Sequence, residues 1–274
     1  MEGKIVLITG ATSGIGKVTA QELARLGATV VFTTRDTKKG EQTKQELIQT
    51  TKNKNIDMLY CDLASFVSIR TCCAKFLEKY DALHVLVNNA GVWDYHRRES
   101  KDGIENIFAI NYLAPFLMTN LLLSVLKKSV PSRIINVSSG LHSGTIHFDD
   151  LESKKSFSGM KVYAHSKLVL ILFTRLLAKK LEGTGVTVNC VNPGMTKTEL
   201  GRDAGFFSRM FFKVFGKNVE KGAETSLYLA SSPDVETISG EYFEKKAVKQ
   251  TNEETYDMDA AEKLWDISKK YVGL

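Results

Sequence analysis

Along this chain, short runs of β-branched and aliphatic residues alternate with longer segments whose apolar positions recur every three or four residues. Runs of the first kind fit strands that are apolar on both faces. Segments of the second kind fit amphipathic helices. "KIVLIT" predicts a strand, and "GIGKVTAQELARLG" predicts a helix that stops at Gly27. "TVVFTT" follows as a strand, then a charged helix over roughly 37–51. "IDMLYCD" is a strand before a helix at roughly 65–79. "HVLVNNAG" runs into a glycine turn, and a long helix covers roughly 103–127. "SRIINVSS" is a strand; after an irregular stretch, a helix over roughly 160–181 begins in "VYAHSK". "GVTVNCVNPG", a helix near 220–231, a short strand at "GEYFE" and a C-terminal helix complete the order.

Strands that alternate with helices imply parallel pairing through right-handed crossovers. The expected fold is an α/β doubly wound parallel sheet of the Rossmann type. Neither an internal repeat nor a Pro/Gly-rich linker interrupts the alternation, so residues 1–274 read as a single domain. In such sheets ligands bind at the carboxyl ends of the strands, and those ends carry the candidate chemistry.

The first of them is "LITGATSGIGK", where Gly10, Gly14 and Gly16 join the first strand to the first helix. Glycines at this junction let the backbone approach a pyrophosphate, which the helix N-terminus then holds with its N–H groups and dipole. Gly10, Thr12, Ser13, Gly14, Ile15 and Gly16 are therefore candidate cofactor contacts. The second strand ends in "FTTRDTKKG". Arg35 there suits the 2′-phosphate of NADP(H), because a guanidinium matches phosphate in a bidentate way. Asp36 argues more weakly for NAD(H), or serves as the cap of the next helix. The balance favours NADP(H). In "VYAHSKLVLILF", Tyr163 and Lys167 stand four apart and share one helix face, while His165 points elsewhere.

Composition changes little. The chain is 43% hydrophobic and 25% charged, which is ordinary for a globular protein. Its net charge of +6 is spread in single residues and pairs, which reads as solvated surface rather than a nucleic-acid footprint. Cys61, Cys72, Cys73 and Cys190 lack a CxxC spacing, so buried free thiols in a reducing, cytoplasmic compartment are expected. No signal peptide precedes "KIVLIT", and "LAPFLMTNLLLSVL" spans about half a bilayer, so it reads as a buried helix in a soluble protein.

Taken together, "TGATSGIG", "CDLAS", "NNAG", "NVSS", "YAHSK" and "NPGMTKT" resemble, in this order and over nearly the whole chain, the short-chain dehydrogenase/reductase family. "TRDTKKGE", "FDDLES" and the ending "EKLWDISKKYVGL" are similar to its retinol-dehydrogenase-like branch. The N-terminal membrane anchor of many animal members is expected to be absent. The resemblance implies a hydride transfer between a nicotinamide and an apolar carbonyl or alcohol. It makes Tyr163 the acid/base. A free tyrosine has a pKa of about 10, and Lys167 would lower it while holding the nicotinamide ribose. Ser139, rather than Ser138, would bond the substrate carbonyl, and Asn111 would connect Lys167 to a water relay. Asn88 and Asn89, with Ala90 and Gly91, would line the cofactor. Asp62 would meet the adenine amino group, with Leu63 beside the ring. Pro193, Gly194, Thr196 and Thr198 would contact the nicotinamide end.

Some residues carry competing readings. Asp62 could be only a cap, although Ser65 is the better one. His142 could border the substrate cleft, and Trp93, Tyr95 and His96 could form a pocket wall or only pack a loop. "GFFSRMFFKVFG" lies within a segment at 199–218 that reads as a helical substrate lid, a core- or dimer-facing helix, or a lipid contact. A homodimer through the helices near 103–127 and 160–181 is the default assembly. The rival functions are a non-catalytic dinucleotide sensor or scaffold and an NAD(H)-preferring alcohol dehydrogenase.

Overall fold

In a computed structural model, residues 1–194 and 219–274 are described, and among them eight strands form one sheet. The strands are β1 (Ile5–Thr9), β2 (Thr29–Thr34), β3 (Ile56–Tyr60), β4 (Val85–Asn88), β5 (Ser132–Val137), β6 (Val186–Asn192), β7 (Tyr242–Glu244) and β8 (Ala247–Val248). Their spatial order is β3-β2-β1-β4-β5-β6-β7-β8. Pairing is parallel as far as β7, and β8 returns antiparallel beside it. The order reverses between β1 and β4, which opens a crevice at their carboxyl ends. The short β8 escaped the sequence reading because two exposed residues carry no pattern.

The helices are α1 (Gly14–Arg25), α2 (Thr37–Thr51), α3 (Phe66–Lys79), α4 (Asn106–Lys128), α5 (Gly159–Lys180), α6 (Val219–Ser231) and α7 (Met258–Val272). Side chains that alternate along each strand feed two cores. Val6, Ile8, Val30 and Phe32 pack with Leu23 of α1, Leu47 of α2 and Leu229 of α6. Leu7, Val31, Leu86 and Ile134 pack with α3, α4, α5 and α7 on the other face. Each such side chain taken fully out of water contributes about 1.5–3 kcal/mol.

Two details of the helices bear on the site. α4 contains a π-helical turn at Ala109–Leu113, with Asn111 at its centre. It is long and apolar enough to cross a membrane, with mean hydropathy 1.6, but 78% of its most apolar stretch is buried inside the chain. α7 lies over α4 and α5: the Trp265 ring centroid is 5.0 Å from that of Phe116 and 5.9 Å from that of Phe173. The helices expected to meet a second copy therefore meet the chain's own C-terminal helix at these aromatics. The segment at 199–218, with its phenylalanines, and Thr196 and Thr198 lie outside the described residues.

Candidate active site

At the crevice, the glycine loop is tied to the end of β4 by Thr9 and Asn89. The Thr9 hydroxyl accepts from the backbone N–H of Asn89 and of Ala90, both at 3.0 Å. Asn89 Nδ2 donates to the Thr9 carbonyl at 2.8 Å and to the Gly10 carbonyl at 3.1 Å. This closeness explains the glycines. A Cβ on Gly16 would stand 2.3 Å from Asn89 Nδ2 and 2.5 Å from the Gly10 oxygen, and one on Gly10 would meet Ala90 Cα at 2.9 Å. Gly10 also has φ of 69°, a left-handed conformation that side chains disfavour. α1 begins with Ser13 as its cap residue, but the side chain makes no cap bond. Its first N–H groups are left for another acceptor, as a bound phosphate would be. Thr12 and Ser13 are partly exposed in this loop, and Ile15 is buried under it. The cradle thus fits a dinucleotide pyrophosphate. Asn88 is buried at the end of β4, where its Nδ2 donates to Asn136 at 2.8 Å and to Thr119 at 3.2 Å, and it lines a small cavity with Thr9, Leu63 and Ala90.

At the adenosine end, Arg35 is exposed just past β2. Asp36 caps α2 by accepting from Lys39 N–H at 3.0 Å, so one oxygen of the carboxylate that argued for NAD(H) is engaged. Asp62 accepts from Ala64 N–H at 3.1 Å and pairs with Lys101 Nζ at 2.8 Å. Burial alone would raise its pKa, but the Lys101 bond, with Ala64 and Arg35, holds it below the usual value. Ser65, not Asp62, caps α3. Leu63 is partly buried at the same strand end. Lys101 was invisible in the sequence, because it approaches Asp62 from a distant loop.

The reacting end is built on α5 and the end of β5. Tyr163 and Lys167 share one face of α5, with Nζ 5.6 Å from the centre of the Tyr163 ring. Lys167 Nζ donates to the Val137 carbonyl at 2.9 Å. The two serines after β5 separate cleanly. Ser138 is buried and donates to the Lys167 carbonyl at 3.1 Å, whereas Ser139 is partly exposed, accepts from Leu141 N–H at 3.1 Å and lies near enough to Tyr163 to favour its phenolate. On Gly91 a Cβ would lie 3.4 Å from Lys167 Nζ and 3.5 Å from Asn111 Oδ1, so a glycine leaves the space between them open. Asn111 accepts from Val92 N–H at 2.8 Å and donates to its carbonyl at 3.0 Å. It also donates to Ser166 Oγ at 3.1 Å, and Ser166 in turn donates to the Tyr163 carbonyl at 2.7 Å. Ser166 thus joins Asn111 to Tyr163, a role that the sequence did not reveal.

Burial raises the Tyr163 phenol above its ordinary value, with the Ser139 bond pulling the other way. Burial also draws Lys167 down to about 8. The reason is that neither phenolate nor ammonium is well solvated in this enclosure. His165 is drawn down to about 4 by burial, with His147 adding to the effect, and it takes no part in the cluster. The His142 ring packs tilted against Tyr242 at 5.0 Å and lies 2.8 Å from the Ser139 carbonyl, so it borders the site. Trp93 and Phe157 pack against Tyr163, Ile107 and Val162 and form an apolar wall, while Tyr95 lies outward of Trp93. Gly194 closes the end of β6, its N–H donating to Asn192 Oδ1 at 2.9 Å beside Pro193.

A doubly wound sheet with a phosphate cradle at its switch point, and with Ser139 and the buried Tyr163 and Lys167 beside it, defines a dinucleotide-dependent oxidoreductase. The family model for short chain dehydrogenases matches residues 4–205, and the chain belongs to that family: it is an NAD(P)-binding oxidoreductase acting on CH–OH groups. Retinol dehydrogenase 14 of Mus musculus is 45% identical over 291 residues, covering 100% of this chain and 87% of its own. Retinol dehydrogenase 11 of Homo sapiens is 42% identical, with 100% and 87% covered. Among solved structures, an uncharacterised protein from Mycobacterium paratuberculosis superposes with a TM-score of 0.79 at 29% identity, covering 99% of this chain and 94% of that one. The NADP active-site complex of Pseudomonas aeruginosa RhlG gives 0.73 at 26% identity, with 89% and 94% covered.

Proposed function

We propose that this chain is an NADP(H)-dependent oxidoreductase that interconverts an apolar ketone or aldehyde and its alcohol. The observation that carries the reading is the convergence of Ser139, Tyr163 and Lys167 beside an open glycine cradle. Ser139 orients the substrate oxygen by hydrogen bonding, and Tyr163 exchanges the proton with it. Lys167 biases the phenol through its ammonium and holds the nicotinamide ribose. Asn111 keeps the loop at Val92 and, through Ser166, the Tyr163 turn in register. A dinucleotide held by the glycine loop and Lys167 would supply or accept the hydride. The glycine loop, Asn89, Ala90 and Gly91 form the pyrophosphate and ribose side, with Asp62 and Leu63 at the adenine. Pro193 and Gly194, at the end of β6, would contact the nicotinamide end.

Arg35 supports NADP(H), because it stands exposed at the strand end while Asp36 is engaged as a cap. The names of the mammalian relatives point to a long apolar alcohol or aldehyde, and the wall of Trp93 and Phe157 suits one. Buried free thiols fit work in a reducing compartment.

A panel of apolar aldehydes, ketones and alcohols, read by nicotinamide absorbance with NADPH and with NADH, tests the reading. Turnover with NADPH above NADH is expected. Arg35→Ala should weaken NADPH binding about 10-fold and leave NADH within about 2-fold. Unchanged NADPH affinity in that variant removes Arg35 from the account. Tight dinucleotide binding without turnover of any panel member would favour the sensor reading.

A further inference from the structure

The π-helical turn that presents Asn111 is an uncommon backbone conformation, of the kind that persists when surrounding contacts hold it. Those contacts come from the far end of the chain. Tyr112, the next residue in the turn, is buried, and its hydroxyl lies 2.8 Å from Ser268 Oγ of α7, also buried. The direction of this bond is determined. Ser268 has one hydroxyl proton, and it donates that to the Leu264 carbonyl at 2.7 Å, so Tyr112 is the donor and Ser268 the acceptor. Two further contacts flank it. The Tyr271 ring lies 5.9 Å from Phe108, the residue before the turn, and Trp265 lies 5.0 Å from Phe116, the first turn beyond it. Tyr271 also donates to Glu152 Oε1 at 3.2 Å, in the "FDDLES" stretch. α7 is thus fastened to the turn at its centre and on both sides, and to the stretch that leads into α5.

We propose that Tyr112 and Ser268 are positioning residues: their bond lets the C-terminal helix set the turn that aims Asn111, and through Ser166 the Tyr163 backbone. The proposal rests on the catalytic reading given above. It assigns a role in the reaction to the "EKLWDISKKYVGL" ending, which stands outside the residues that touch substrate or dinucleotide.

Tyr112→Phe and Ser268→Ala each delete one hydroxyl from the brace. Both are expected to raise amide hydrogen exchange over residues 106–113 and to lower kcat about 5-fold, with KM for NADPH held within about 2-fold. The pH profile of kcat should shift in both, because the environment of Tyr163 changes. The double variant should be no worse than the worse single, as expected when both changes remove one interaction. Ser268→Thr keeps the acceptor and should restore kcat to within about 2-fold of wild type. Unchanged exchange over 106–113 in Tyr112→Phe overturns the proposal. So does raised exchange with kcat and its pH profile unmoved, which marks a structural contact only. A Ser268→Thr variant as impaired as Ser268→Ala overturns it also, because packing rather than the hydrogen bond would then be at work. If the wild type turns over no carbonyl or alcohol, the catalytic reading fails by itself, and the exchange measurement still decides whether α7 holds the turn.

Discussion

At the glycine loop the site is made of main chain: Gly10, Gly16 and the Asn89 amide pack so closely that no side chain fits between them. At Tyr163 it is made of side-chain atoms from three segments, with Ser139, Tyr163, Lys167 and Asn111 brought together by the end of β5 and two helices. The difference teaches how each end fails. A backbone cradle is broken by adding an atom, and its loss appears as lost dinucleotide affinity. A side-chain cluster is broken by removing an atom, and its loss appears in the chemical step while binding survives.

Tyr163→Phe should show this contrast most strongly. Loss of the phenolic proton should lower kcat by about 10²- to 10⁴-fold, with NADPH affinity nearly unchanged. Equal turnover by purified Tyr163→Phe, measured by NADPH absorbance, would remove Tyr163 as the acid/base. Gly16→Ala is the complementary break. Its Cβ would fall 2.3 Å from Asn89 Nδ2 and 2.5 Å from the Gly10 oxygen, so loop and strand end must separate. The expected outcome is a dinucleotide Kd raised at least about 10-fold and a stability loss of about 1–3 kcal/mol. Fluorescence titration and thermal melts would read both, and unchanged affinity would contradict a backbone cradle.

The smallest effect concerns the start of α4, which lies between the two ends. Glu105 is fully buried and caps that helix by accepting from Ile107 and Phe108 N–H. Burial raises its pKa from 4.5 to about 7, against the pull of those two bonds; Asp94 adds to the rise and Arg97 opposes it. The folded chain therefore holds this proton where the unfolded chain has lost it. Its contribution is fully present below the ordinary value of 4.5 and is lost as pH rises through about 7. Thermal midpoints should fall across that window, and Glu105→Gln should flatten the decline. An unchanged slope would locate the pH dependence elsewhere.

Much of this was legible in sequence, for reasons that differ by residue. Tyr163 and Lys167 are four apart on one helix, so helical geometry alone aligns them. Gly10 and Gly16 announce a close approach because no other residue tolerates one. Ser139 was distinguished from Ser138 only by family resemblance, and the fold supplies the physical reason: Ser138 points inward to the Lys167 carbonyl. Thr9, Lys101 and Ser166 carried no signal, because each acts through a partner that folding brings from another segment. Asn88 and Asn89 are adjacent and identical in type, yet one bonds inside the sheet and the other ties the glycine loop. The proton affinities of the reacting pair were also unreadable: spacing shows that an ammonium is near a phenol, but not that burial raises the one and lowers the other.

By itself, then, the sequence determined the alternation of strands and helices, the cradle and the shared face of Tyr163 and Lys167. These follow from local periodicity and from the steric limits of single residues. Only the tertiary structure decided that Ser138 turns inward, that Asn89 ties the glycine loop, that Asp36 and Asp62 are already engaged, and that α7 packs on α4 and α5 and bonds to Tyr112 beside Asn111. Those outcomes depend on contacts between residues far apart in the chain, and desolvation, which sets the proton affinities, is a property of the assembled enclosure and of no residue alone.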